Sequence, residues 1–282
     1  MKGLLAAAAA AGGVLCVSKG LDKRLETTNF NISSEKIPES FSGFKIVHLS
    51  DAHSETIPGL INRIREEKPD IIVCTGDMTD DDKKSFMPTV SLTKRLVKIA
   101  PVYMVTGNHD LARPDFKVLA EILAKLGAVF LKNERVVLTR GESKISLSGI
   151  DDSVFLTGKN IKKHIDSAMQ ELGKTDLYDI LLFHRANLFE FLDGGGFDLV
   201  LAGHMHGGQM RLPVVGGVAS PKSSIMSDSK LFRPKYFAGA YTYSDMTMIV
   251  SRGLGNPMLI PRLFNPPEMV VITLNRKEQP YL

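Results

Sequence analysis

Five short polar clusters in this 282-residue chain carry side chains that bind metals or move protons. They read Ser50-Asp51-Ala52-His53, Gly76-Asp77-Met78-Thr79-Asp80, Gly107-Asn108-His109-Asp110, Phe183-His184-Arg185 and Gly203-His204-Met205-His206. Of the seven histidines, His53, His109, His184, His204 and His206 lie in these clusters. Carboxylate, imidazole and amide donors together suit borderline first-row ions such as Mn²⁺, Fe or Zn²⁺. A closed structural zinc site would favour cysteine, but the two cysteines, Cys16 and Cys74, have no metal-binding spacing. The set is too rich in histidine for magnesium or calcium alone. One ion cannot use all of these groups, whereas two ions sharing a carboxylate can. Each cluster by itself is ordinary: Asp-x-His often marks a turn, Gly-Asp a helix cap, His-x-His a decorated surface. Five in order, each after an apolar run, are not.

Those apolar runs are the elements that must position the clusters. "FKIVHLSD", "DIIVCTGD", "PVYMVTGNHD", "DILLFHRAN" and "FDLVLAGHMH" read as buried strands with polar ends. "IPGLINRIREEKP", "KKSFMPTVSLTKRLVKIA" (limited or kinked at Pro88) and "DFKVLAEILAKLG" (capped by Gly127) have helical spacing between them, as does the later "NIKKHIDSAMQELGK". Strands alternating with helices make a parallel sheet with covered faces. Ligands of such sheets collect outside the carboxyl ends of the strands, where all five clusters fall. "AVFLKNERVVLT" and "SKISLSGIDD" read as adjacent strands. "YFAGAYTYSDMTMIVSRG" and "EMVVITLN" close the chain as antiparallel strands, and "TTNFNIS" is an early edge strand. The expected organisation is a signal-like or anchor segment at 1–20, a lead-in at 21–42 and one α/β domain at 43–282.

The combination "DAH", "GDMTD", "GNHD", "FH" and "GHMH" resembles the calcineurin-like metallophosphoesterases. "FHRAN" and "GHMHGGQMRLP" are similar to a subgroup of small bacterial phosphoesterases, often membrane-anchored or exported. The resemblance implies a four-layer sandwich in which two mixed β-sheets pack face to face and are flanked by helices. It also implies two divalent metal ions. Asp51, His53 and His206 would hold the first, Asn108, His184 and His204 the second, and Asp77 would bridge them. A metal-bridged hydroxide would attack the phosphorus of a phosphodiester or phosphomonoester, with His109 as general acid and Asp110 orienting its ring. Ala52 and Met205 depart from the family pattern at positions that are not ligands.

Other polar residues have plainer readings. His48, inside a strand, reads as a hydrogen-bonded structural group, and His164, on a lysine-rich helix, as a solvated one. Asp80 either caps the next helix or supports the site. Asp151 and Asp152 read as turn carboxylates. Arg185 and Arg211 meet substrate phosphate or are solvated.

A net charge of +4 lacks the strong pattern of a dedicated nucleic-acid binder. It suits an anionic substrate, such as the phosphate ester that the resemblance implies, or a location near anionic lipid. The apolar run from Gly3 to Val17 after a basic start is shorter than a spanning helix and matches a signal-peptide core. The expected location is therefore membrane-associated or exported. That segment, with the basic and aromatic stretches "RPKYFAGAYTYS" and "LIPRLFNPPE", makes lipid-linked or nucleotide-sugar-linked esters of the UDP-2,3-diacylglucosamine type an alternative substrate. A nuclease and a non-catalytic interaction module are the remaining alternatives. The first lacks a basic stripe, and the second would be expected to have lost ligands.

Overall fold

In the computed structural model, the apolar runs become the strands of two six-stranded sheets. The structure describes residues 21–82, 85–153, 156, 158–212, 216–218, 234–256 and 261–278. The first sheet takes β1 (Glu26–Ser34), β2 (Phe44–Leu49), β3 (Ile71–Thr75), β4 (Val102–Val105), β5 (Ala128–Phe130) and β14 (Glu268–Arg276), in the order β1-β14-β2-β3-β4-β5. The second takes β6 (Glu134–Arg140), β7 (Ser143–Ile150), β8 (Asp179–Arg185), β9 (Leu199–Gly203), β12 (Gly239–Tyr243) and β13 (Met246–Val250), in the order β12-β13-β9-β8-β7-β6. A small hairpin, β10 (Arg211–Leu212) and β11 (Gly216–Gly217), stands apart.

Both sheets are mixed. β2 to β5 run parallel, as do β7, β8, β9 and β13. β14 is antiparallel to β2, β6 to β7, and β12 to β13. Two strand expectations need correction. "AVFLKNERVVLT" is not one strand: β5 joins the first sheet and β6 the second, and the chain turns between them with Asn133 left-handed (φ 56°). The C-terminal strands are only partly antiparallel, because β13 lies parallel to β9 and β14 parallel to β1.

Alternation along the strands sends side chains to two faces. Ile46, Val73, Ile180, Leu182, Leu201 and Ile249 meet between the sheets. Leu49, Ile72, Cys74 and Met104 face outward onto Leu60 and Ile64 of α1 (Leu60–Glu67), Leu96 of α2 (Met87–Leu96), and Leu119 and Leu123 of α4 (Phe116–Lys125). On the opposite side Leu181, Phe183, Val200 and Met248 cover Ile161 and Ile165 of α5 (Lys159–Leu172). The layers therefore run helix, sheet, sheet, helix. Pro88 starts α2 rather than kinking it, since it sits in the first turn where its missing N–H leaves no bond unmade. Gly127 follows α4 with φ 105°, the left-handed cap a glycine accepts freely. The short α3 (Asn108–Ala112) begins at a predicted ligand.

The expected membrane-associated or exported location is corrected. No helix among the described residues is long and apolar enough to cross a membrane. The 14-residue α5 spans about 21 Å at 1.5 Å per residue, short of the roughly 30 Å of a bilayer core. Residues 1–20, where the targeting expectation fell, lie outside the described residues.

His48 is fully buried in β2, and its Nε2 lies 2.7 Å from the Thr75 hydroxyl. Burial pushes its pKa from 6.5 down to about 3. A folded-state pKa below the unfolded one gives stability that is complete above the unfolded value. It is lost as pH falls from about 6.5 toward 3, by at most about 1.4 kcal/mol per pH unit. Urea denaturation at pH 7 and pH 4.5 should show this loss in the native chain and a smaller loss in His48→Gln.

Candidate metal centre

The carboxyl ends of β2, β3, β4, β8 and β9 carry the five clusters to one rim. There the backbone leaves its ordinary conformations. Among the described residues eleven non-glycine residues have positive φ, and five are predicted ligands: Asp51 (52°), His53 (48°), Asp77 (50°), His204 (71°) and His206 (47°). Each such residue costs about 1–2 kcal/mol, and strain of this kind persists only where the surroundings over-determine it. Two glycines make the crowding possible. A Cβ at Gly107 would run into the Asp77 carboxylate, and one at Gly203 into Ser50 and Asp51.

The predicted ligands assemble into groups whose ligand atoms lie within 4.8 Å of one another. Asp51, His53 and His206 form one, and Asp77, His184 and His204 a second. Asp77 also groups with His53 and His109, so it faces both sides of the site. Asn108 belongs with the second group, its Oδ1 lying 3.3 Å from His184 Nε2. All of these are buried except His109, which is half-buried.

Hydrogen bonds fix which atoms face inward. His184 Nδ1 donates to the Thr75 carbonyl at 2.7 Å, which leaves Nε2 as the inward nitrogen. Around Nε2 stand His204 Nδ1 at 3.2 Å, Asp77 Oδ2 at 3.1 Å and the Asn108 amide oxygen. Asp51 accepts from the His204 backbone N–H through both oxygens, and Asp77 Oδ1 from the His109 backbone N–H at 2.8 Å. His53 Nε2 is buried with no hydrogen-bond partner. Nitrogen and oxygen atoms that crowd together, or are buried without partners, are what a cation site needs, so the residues fit a metal pair.

The charges agree. Burial, then the charges of Arg185 and His184, hold His204 well below the ordinary histidine value; burial, His53 and Arg262 do the same for His206. Both are neutral imidazoles, the form that ligates. Burial also disfavours charge on His184, but the Asp77 carboxylate outweighs it and raises that ring to about 9. Burial raises Asp51. It opposes the ionised form of Asp77 too, yet His184 and His53 hold that carboxyl well below its ordinary range. The carboxylates thus draw positive charge to one point, where a proton and a metal ion compete.

Asp110 does not orient the His109 ring. Its carboxylate accepts the backbone N–H groups of Gly107 and Thr79, both at 3.0 Å, and so ties the third cluster to the second. His109 Nδ1 faces Asp81 instead, with Asp80 3.4 Å away. Burial lowers the proton affinity of this ring, but the bonds to Asp80 and Asp81 and the charge of Asp77 raise it to about 10. Asp80 also lies 3.5 Å from His53 Nδ1, and it caps no helix, since α2 begins at Met87. Asp81 was legible only as one of the acids in "TDDD".

Asp152 is no turn carboxylate either. Arg185 Nε and Nη2 donate to its two oxygens at 2.7 and 2.9 Å, with both side chains buried. Asp151 accepts from Thr106, and His164, expected in solvent, lies half-buried with Nε2 3.2 Å from the Asp151 carbonyl. Arg211 is half-buried with its guanidinium 5.9 Å from the Phe237 ring centre. The "LIPRLFNPPE" stretch is not a basic surface over the described residues, because Arg262 and Asn265 are buried against the His206 loop.

Residues 44–208 match the profile of the calcineurin-like phosphoesterases. The chain belongs to that family. The metallophosphoesterase YkuE of Bacillus subtilis (strain 168) is 31% identical over 97% of this chain and 96% of its own length. The phosphodiesterase YaeI of Escherichia coli (strain K12) is 28% identical over 76% of each. Among solved structures the phosphopantetheinyl hydrolase PptH of Mycobacterium tuberculosis is 11% identical with TM-score 0.46, covering 76% of this chain and 91% of that one. This calcineurin-like phosphoesterase is therefore a metal-dependent hydrolase of phosphate esters, and its cofactor is a pair of divalent ions.

Proposed function

We propose that the enzyme cleaves phosphodiesters in preference to phosphomonoesters, using Asp51, His53 and His206 for one ion, Asn108, His184 and His204 for the other, and Asp77 for both. The position of Asp77 between the two groups supports the two-ion assignment, and the carboxylates around His109 support the diester preference. When bound, two ions of the Mn²⁺, Fe or Zn²⁺ kind supply Lewis-acid charge and a water acidic enough to attack phosphorus near neutral pH. Asp51 and Asp77 offset only part of the charge of two dications, so the site attracts an anionic ester.

His109 stands at the edge of the site with its side chain 31% exposed. With Nδ1 held by the Asp80 and Asp81 carboxylates, its Nε2–H is the proton available to the leaving oxygen. An alkoxide leaves a diester poorly without that proton. The same two carboxylates repel a dianionic monoester more than a monoanionic diester. The YaeI relative is also named a phosphodiesterase.

The test is a panel on the purified full chain: bis(p-nitrophenyl) phosphate, p-nitrophenyl phosphate and a nucleotide sugar, with Mn²⁺, Zn²⁺ or chelator. Diester turnover should exceed monoester turnover, vanish with chelator and return with Mn²⁺. Activity that survives thorough metal removal rejects the metal reading. A monoester preference rejects the diester assignment alone.

A further inference from the structure

The loop that carries His204 and His206 is held by a distant part of the chain. Between 204 and 209 only Met205 has an ordinary φ; the others are His204 at 71°, His206 at 47°, Gly207 at 62°, Gly208 at 73° and Gln209 at 55°. A run of left-handed residues relaxes unless something outside it bonds to its backbone.

Residues 262–265 supply those bonds. Met210 pairs with Leu263 as a parallel bridge, and the Arg211 N–H donates to the Leu263 carbonyl at 2.9 Å. Asn265 is fully buried, and its Nδ2 donates to the carbonyls of His206 at 2.7 Å and Gln209 at 3.1 Å. A side-chain amide has two N–H donors, and both are used here. Contact is so close that a Cβ at Gly207 would strike the Asn265 amide.

Arg262 acts on the ring of the same histidine. Its Nε donates to the Gly255 carbonyl at 2.9 Å and its Nη1 to the Arg252 carbonyl at 2.7 Å. So anchored, Nη2 lies 3.3 Å from His206 Nδ1. The ring is left with Nε2 toward Asp51, 3.8 Å from Oδ1. One four-residue segment thus sets both the main chain and the ring of His206, and it lies beyond the 44–208 span of the family profile.

We infer that Asn265, assisted by Arg262, is a positioning residue that locks His206 in its ion-binding conformation. The inference rests on the ligand set proposed above. Loss of the lock should weaken the ion held by Asp51, His53 and His206. The ion on Asn108, His184 and His204 should be spared, because His204 is tied separately through its own N–H to Asp51.

The experiment uses Asn265→Asp, which replaces the two donors with a carboxylate facing two carbonyls, and Arg262→Lys, which keeps the charge but loses the planar fork. The metal-stripped full chain is titrated with Mn²⁺ by calorimetry, and magnetic coupling of the ion pair is followed by electron paramagnetic resonance. The native chain should bind two coupled ions. Each variant should bind one with native affinity and the other about 10–100-fold more weakly, as removal of a group supporting a ligand does. In a His206→Ala background the same substitutions should cost nothing further, because their effect passes through His206.

Two native affinities in either variant overturn the inference. So does equal weakening of both ions, or an undiminished loss in the His206→Ala background. Should Asn265→Asp fail to fold by circular dichroism, Arg262→Lys decides by the same criteria. A native chain that binds fewer than two ions rejects the ligand set itself, a separately visible failure.

Discussion

Asp77→Asn should lower phosphodiester turnover by at least about a thousandfold and leave the chain short of its two bound ions. Asp77 lies within reach of His53 and His109 on one side and of His184 and His204 on the other. Asparagine keeps its shape and can still accept the His109 N–H on Oδ1, so the fold survives. What goes is a full negative charge between the two groups of candidate ligands. A metal pair supplies several kcal/mol of transition-state stabilisation, and each 1.4 kcal/mol is a factor of ten. Metal content by inductively coupled plasma mass spectrometry and single-turnover rates on a diester measure the two effects. A variant that keeps two ions and native turnover removes Asp77 from the centre.

His109→Asn should keep both ions and lose about 10²–10⁴ in kcat on a diester with an alkyl leaving group, the range that a well-placed proton donor contributes. On a nitrophenyl diester the loss should be far smaller, because nitrophenolate leaves without a proton. The contrast between the substrates separates proton donation from damage to the site. Equal losses on both substrates would remove the donor role, and unchanged turnover on the alkyl ester would exclude it. Asp81→Asn, which removes one carboxylate from the ring's Nδ1, should lower the alkyl-ester rate in the same direction.

The clustering of these side chains was legible because each follows an apolar run. A buried strand in a parallel sheet has little choice about where its carboxyl end lies, and its terminal residues meet those of its neighbours at one rim. The resemblance then sorts them, and the groups around Asp51 and Asp77 are those that it implies. His48 was legible for a similar reason, since a histidine inside a buried strand must find a partner, here Thr75.

The partners of those ligands were not legible in the same way. Adjacency suggested that Asp110 turns the His109 ring. A short helix instead points successive side chains in different directions, so Asp110 reaches back to Gly107 and Thr79 while His109 reaches across to Asp80 and Asp81. Arg185 stood open between substrate and solvent until packing buried it against Asp152, 33 residues away in sequence.

By itself the sequence determined the alternation of strands with helices, the strand ends that carry the candidate metal-binding clusters and the chemistry of their side chains. All of these follow from local composition and period. The tertiary structure alone decided which carboxylates face His109, how "AVFLKNERVVLT" divides between the sheets, and that Asn265 grips the His206 loop. Contacts across dozens of residues depend on how two sheets and their loops pack, and no spacing within one segment records that.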